Sequence, residues 1–172
     1  MDLRSLIRDI PDFPKKGIVF LDITPLLGNG PAFRQAIDAL AEKFAAVKAD
    51  KVVAAEARGF IFGAALAYKL GIGFVPVRKP GKLPYKTSTV TYDLEYGTDT
   101  LCMHEDAVLK GENVLLIDDL LATGGTLTGV LQLLDQAGAN VAGIGVLIEL
   151  AFLNGREKFD SQLLKSVIHI TG

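Results

Sequence analysis

The chain has 172 residues, a formal net charge of −2 and one cysteine. A domain of that length buries roughly 70% of its unfolded surface without disulfides or structural metal, so its 49% apolar content needs no membrane. The slightly acidic balance gives no global attraction to nucleic acid. Apolar runs break well before the ~18 residues of a membrane span, and His104 and His169 are too few and too far apart for a His-rich metal site. A cytosolic protein is expected, with no nucleic-acid or membrane partner, and any anionic ligand must be held by local charge.

The first nine residues read as a short amphipathic helix without a signal-peptide core, and Pro11 to Gly17 as a rigid loop, because two prolines fix φ and remove donors. Ile18 to Thr24 reads as an extended segment ending at Pro25. Phe33, Ile37, Leu40, Phe44 and Val47 recur at steps of four and three, one face of a helix. The period then changes: strands are predicted over 51–55, 74–78, 113–118, 140–149 and 167–170, with helices over 60–70 and 127–137. Strands apolar on both faces and alternating with helices predict an α/β fold, a mostly parallel twisted sheet with helices on both faces, in a single domain.

The stretch from Lys79 to about Asp99 departs from that alternation. It holds Pro80-Gly81-Lys82, then Thr-Ser-Thr-Val-Thr-Tyr, then Leu94-Glu95-Tyr96-Gly97, and reads as a polar projecting hairpin with little core of its own, of the kind that forms lids. Cys102, in the alternating run that follows, is expected to be a buried strand residue and not a nucleophile.

Residues 114–126 read Val-Leu-Leu-Ile-Asp-Asp-Leu-Leu-Ala-Thr-Gly-Gly-Thr. An apolar strand runs into Asp118 and Asp119, carboxylates that need partners if buried. Gly124 and Gly125 allow positive φ and close backbone approach, and Thr123 and Thr126 add hydroxyls at the start of a helix, which makes a phosphate cradle. The Gly-x-x-x-x-Gly-Lys pattern of a P-loop is missing. Carboxylates ahead of a phosphate cradle suit a ligand with vicinal hydroxyls beside its phosphate, the pattern of ribose 5-phosphate. Ligands of open α/β sheets lie beyond the carboxyl ends of the strands, so the turns after Ala55, Val77 and Ile117 are expected to converge.

With these motifs the sequence resembles the type I phosphoribosyltransferases, and most closely their adenine-specific members. The resemblance rests on the Asp-Asp cradle together with Pro-Asp-Phe-Pro, Asp-Ile-Thr-Pro-Leu-Leu, Glu-Ala-Arg-Gly-Phe-Ile-Phe-Gly, Arg-Lys-Pro-Gly-Lys-Leu-Pro, Leu-Glu-Tyr-Gly and Asn-Gly-Arg-Glu-Lys, in that order along nearly the whole chain. It implies transfer of ribose 5-phosphate from phosphoribosyl pyrophosphate to N9 of adenine, giving AMP and pyrophosphate. The type I fold it implies adds an N-terminal hood, about residues 1–30, as the base-binding segment, and makes about 79–99 a flexible catalytic loop.

The same resemblance assigns roles. The 5-phosphate would lie on Ala122, Thr123, Gly124, Gly125 and Thr126, with the ribose hydroxyls near Asp118 and Asp119. Arg58, Lys79 and Lys82 would meet the pyrophosphate, Tyr96 would shield it, and Arg78 would reach the pyrophosphate of a neighbouring subunit, which implies a homodimer. Adenine would lie between Phe20 and Leu120, its edge read by main chain around Val19 and Leu21; Leu21 stands where a basic residue is more usual. Glu95 would take the N7 proton. Mg²⁺ is implied as cofactor, bound through substrate oxygens and water, and Glu56-Ala57 is implied to be a non-proline cis peptide. The alternatives are a transferase for a 6-oxopurine or orotate, and a non-catalytic sensor of phosphoribosyl pyrophosphate.

Overall fold

A computed structural model of the chain describes residues 1–94 and 96–172, so Glu95 lies outside the described residues. The chain forms two compact units, Met1–Ala39 and Leu40–Gly172.

The N-terminal unit opens with a 3-10 turn, Leu3–Leu6, and then strand β1, Arg8–Ile10, antiparallel to β2, Phe20–Asp22. The predicted opening helix is therefore a single turn. Asp2 caps it by accepting from the Arg4 N–H at 3.0 Å, and the chain turns extended at Ile7 because Arg8 pairs with Asp22 across the ribbon. The loop between the strands contains a cis Phe13–Pro14 bond, and the Phe13 ring sets its edge against Phe20 at 5.2 Å. Pro25 begins a helix where the sequence reading had it end a strand. It sits in the first turn of α1, Thr24–Leu27, where a missing N–H costs nothing. Helix α2, Gly30–Lys43, carries Ala32, Ala36 and Ile37 on its buried face.

In the C-terminal unit, β3 (Lys51–Ala55), β4 (Gly73–Val77), β7 (Asn113–Leu121), β8 (Asn140–Leu150) and β9 (Leu164–Ile170) form one parallel sheet in the order β4-β3-β7-β8-β9. The chain steps from β3 outward to β4 and later returns to the other side of β3. The order thus reverses between β3 and β7, where open α/β sheets hold their ligands. Alternating residues serve opposite faces: Val53, Val75, Val114, Leu116, Ile144 and Val146 join the core under helix α4, Gly125–Gln136. On the other face helix α3, Arg58–Leu70, packs against β3, and a Cβ on Gly63 would sit 2.8 Å from the Ala54 Cβ. Next to α3 on that face lies Phe44, whose ring rests directly on Gly143 and Gly145 of β8.

The segment predicted as a polar hairpin is antiparallel, β5 (Thr87–Asp93) and β6 (Thr98–His104), but its stem is core. Val90, Tyr92, Leu101 and Met103 are buried in the main cluster. One face of the alternation is apolar and lies against α4, where Gly129 leaves room for the Tyr92 ring. Arg78 and Cys102 exchange backbone hydrogen bonds of 2.9 and 2.7 Å, tying the end of β4 to β6, and Cys102 is the buried strand residue expected.

Candidate active site

Strand β7 outlasts its neighbour on one side: β3 stops pairing with it at Leu116, while β8 continues through Asp118, Leu120 and Leu121. The acidic pair therefore stands where the sheet opens. Asp119 is buried and Asp118 half-buried. The Arg58 Nε lies 2.9 Å from Asp119 Oδ2, and the Asp119 N–H donates to Asp118 Oδ1 at 2.8 Å. Gly59 is needed at this point, since a Cβ there would fall 2.9 Å from Asp118 Oδ1. Burial first, and then the adjacent Asp119 carboxylate, push the Asp118 carboxyl well above the ordinary aspartate range.

The turn that follows passes through Gly124 at φ +90° into α4, whose first N–H groups have no intrahelical partner. The turns after β3 and β7 line one cavity of about 270 Å³: Glu56 to Gly59 on one wall, Asp118 to Leu127 on the other, with Leu94 of the hairpin at its edge. Of the residues expected here, Arg58, Asp118, Asp119, Leu120 and Ala122 to Thr126 are brought together. The Glu56–Ala57 bond is cis, as expected.

The basic residues after β4 are arranged around Glu56. Its Oε2 accepts from Lys82 Nζ at 2.6 Å, and its Oε1 accepts from the Lys79 N–H at 2.8 Å and from Arg78 Nε at 3.3 Å. The Arg78 guanidinium also lies over the Phe60 ring, 5.9 Å from its centroid. Burial opposes the charge on Glu56, but the Lys82 and Lys79 hydrogen bonds and the two nearby cations hold its carboxyl below the usual range. The Lys79 ammonium pairs with Asp99 at the hairpin stem. Tyr96 is exposed at the hairpin end, where the Leu94 N–H donates to the Gly97 carbonyl at 2.9 Å. Phe20 and Leu21 lie on β2 of the N-terminal unit, half-buried, with Val19 exposed beside them.

In the sequence Glu56 stands only as part of the turn Glu-Ala-Arg-Gly. Arg58 beside it is a local cation, while nothing in the local pattern marks a carboxylate as the hub for residues more than twenty positions away. The second omission is the wall behind the cradle. A Cβ on Gly155 would collide with the Ala122 carbonyl oxygen, and one on Gly124 would fall 2.9 Å from the Phe159 ring, so the 155–159 segment is packed directly against the 122–126 turn. The motif Asn-Gly-Arg-Glu-Lys was the available signal.

Comparison with known proteins bears on what this geometry serves. Residues 26–171 match the family model of the phosphoribosyl transferase domain. An adenine phosphoribosyltransferase of Solidesulfovibrio magneticus is 70% identical over 170 residues, covering 99% of each chain. The crystal structure of adenine phosphoribosyltransferase from Thermoanaerobacter pseudethanolicus superposes with a TM-score of 0.95 at 53% identity, covering 98% of each chain. That of the Saccharomyces cerevisiae enzyme, complexed with an imino-altritol bisphosphate and adenine, gives 0.90 at 40% identity and 96% of each chain.

Proposed function

The chain belongs to the phosphoribosyltransferase family, and we propose that it works as the family's adenine-specific members do, transferring ribose 5-phosphate from phosphoribosyl pyrophosphate to adenine. The products are AMP and pyrophosphate, a purine salvage reaction. The observation that carries this reading is the cavity at the β3/β7 reversal, where an acidic pair and a glycine turn at a helix start face one space. It is supported by full-length identity of 70% with an adenine phosphoribosyltransferase.

The ribose hydroxyls donate to Asp118 and Asp119, and the 5-phosphate takes the N–H groups of the 122–126 turn. Arg58, Lys79 and Lys82 grip the pyrophosphate as it leaves, and Arg78 reaches the pyrophosphate of the neighbouring subunit. Carboxylates beside the ring stabilise the oxocarbenium character that develops at C1. Glu95 takes the N7 proton so that N9 attacks, and Tyr96 shields the leaving group. Val19, Phe20 and Leu21 read the base, and Leu120 covers it. In domain terms, about 1–30 is the base-binding segment and about 79–99 the catalytic loop of one phosphoribosyltransferase domain.

Among the described residues no group of three His, Cys, Asp or Glu side chains is placed to cage an ion. A Mg²⁺ would be held mainly through substrate oxygens and water, where it would neutralise charge on the leaving group. No described helix is long and apolar enough to cross a membrane. We place the reaction in the cytoplasm and the active enzyme in a homodimer.

The test offers adenine, hypoxanthine, guanine and orotate separately to the protein with phosphoribosyl pyrophosphate and magnesium. Adenine alone should be consumed rapidly, because a pocket that pairs a 6-amino edge leaves polar groups unpaired against a 6-oxo group. Equal use of hypoxanthine would overturn the adenine assignment, and no use of any base would leave the sensor reading.

A further inference from the structure

The run Asn154-Gly155-Arg156-Glu157-Lys158 has a placement that the proposed chemistry does not use. Arg156 pins it: the guanidinium donates to Glu149 at 2.8 and 2.6 Å, to the Leu164 carbonyl at 3.2 Å and to Ser166 Oγ at 3.3 Å. Gly155 is thereby pressed against the Ala122 carbonyl, and the next residues run along the back of the cradle. The Lys158 stem passes so close that a Cβ on Gly124 would meet its Cδ at 3.3 Å. Lys158 then lines a cavity of about 350 Å³ with Thr123 and Gly125 of the cradle and Asp93 and Leu94 of the hairpin.

Charge separates this lysine from the other cations of the site. Arg58 is paired with Asp119, Arg78 and Lys82 with Glu56, and Lys79 with Asp99. Among the described residues Lys158 has no hydrogen-bond or ion-pair partner, although Asp93 shares its cavity. The turn from Ala122 to Thr126 itself contains no basic side chain. Backbone N–H groups and a helix start supply only partial charge, whereas a phosphate monoester carries nearly two negative charges at neutral pH.

We propose that Lys158 is a phosphate-binding residue of the cradle, its ammonium supplying the full positive charge that the Ala122–Thr126 turn lacks for the 5-phosphate of the phosphoribosyl group and of AMP. This rests on the phosphoribosyltransferase reading, which puts the 5-phosphate on that turn. Lys158 binds at the 5-phosphate end and is separate from the pyrophosphate cluster around Glu56.

Titration calorimetry on the full chain tests it with AMP, ribose 5-phosphate and inorganic pyrophosphate, for the unaltered protein, Lys158→Gln and Lys158→Arg. The glutamine variant should bind AMP and ribose 5-phosphate roughly tenfold more weakly, the loss of one exposed charge-assisted hydrogen bond. Pyrophosphate affinity should hold, the arginine variant should recover most of the loss, and the salt dependence of AMP binding should become shallower in Lys158→Gln. Unchanged AMP affinity overturns the proposal, as does equal weakening of all three ligands, which would make Lys158 a packing residue. If the unaltered protein binds neither AMP nor ribose 5-phosphate, the phosphoribosyltransferase reading itself has failed.

Discussion

Glu149→Gln removes one charge from the support behind the cradle and leaves the volume nearly unchanged. The Glu149 carboxylate is buried, accepts two hydrogen bonds from Arg156 at 2.8 and 2.6 Å and one from Ser166 Oγ at 2.6 Å, and lies 3.5 Å from His169 Nδ1. Breaking a buried pair on one side costs about 3–5 kcal/mol. The Arg156 side chain is 34% exposed, so water screens part of the stranded charge, and the amide oxygen keeps one acceptor, which brings the expectation down to about 2–3 kcal/mol. For a domain of this size that is a fall in Tm of roughly 4–12 °C. The Arg156 hydrogen bonds hold the Glu149 carboxyl below the ordinary range. Its contribution is therefore present above the usual glutamate pKa and lost as pH falls through the depressed value, so the gap between variant and parent should close in acid. Thermal and urea unfolding across pH measure this, with AMP affinity followed alongside because Gly155 backs Ala122. A Tm at neutral pH within about 1 °C of the parent would refute the reasoning.

Asp118→Asn should raise the neutral-pH stability of the ligand-free protein while weakening AMP binding. The native Asp118 carboxyl is pushed up, so its effect on stability is a loss that grows as pH rises from the unfolded value through the raised one. A lower Tm for the variant at pH 7 would contradict it. Glu56→Gln takes the charge from the hub of Arg78, Lys79 and Lys82 and should speed tryptic cleavage after Arg78 and Lys82, whereas an unchanged cleavage rate would show that the hub does not order the segment. Glu95→Gln keeps size and an acceptor but no useful basicity, so kcat should fall by roughly 10²–10⁴ with phosphoribosyl pyrophosphate affinity nearly kept. Near-full kcat would move the general base elsewhere.

The alternating strands and helices were legible because burial of the sheet on both faces writes continuous apolar runs such as Val114 to Ile117, bounded by turn residues. Reading failed where a distant partner decides the local state. Residues 8–10 have helical periodicity, yet pair with 20–22. The hairpin stem looked coreless because Val90, Tyr92, Leu101 and Met103 are diluted among threonines, and only the smooth groove at Gly129 of α4 reveals what they pack against. The site divides in the same way. The turns at strand ends are local and could be located, as Arg58, Asp118 and Thr123 were. Which carboxylate holds which cation is a tertiary property, so the Glu56 hub left no local trace, and the wall at Gly155 and Lys158 shows only as the run Asn-Gly-Arg-Glu-Lys, with no sign of what it packs against.

Those pairings bear on what the site will accept. Arg58, assigned to pyrophosphate, is engaged with the buried Asp119. A ligand that draws Arg58 away strands that carboxylate, and a buried carboxylate without a partner is costly. Bound as proposed, phosphoribosyl pyrophosphate would compensate within one molecule, its ribose hydroxyls donating to the acidic pair as its diphosphate takes the arginine. Free pyrophosphate has no hydroxyls to offer and must bind against that cost. Asp119→Asn should therefore move two affinities in opposite directions: free pyrophosphate tightens a few-fold as Arg58 is released, and AMP weakens roughly tenfold as a charged acceptor for the ribose is lost. Calorimetry with the two ligands on the same variant decides it. If both weaken, Asp119 is needed to hold Arg58 in place and the exchange of partners is wrong; if both tighten, the ribose does not lie on the acidic pair.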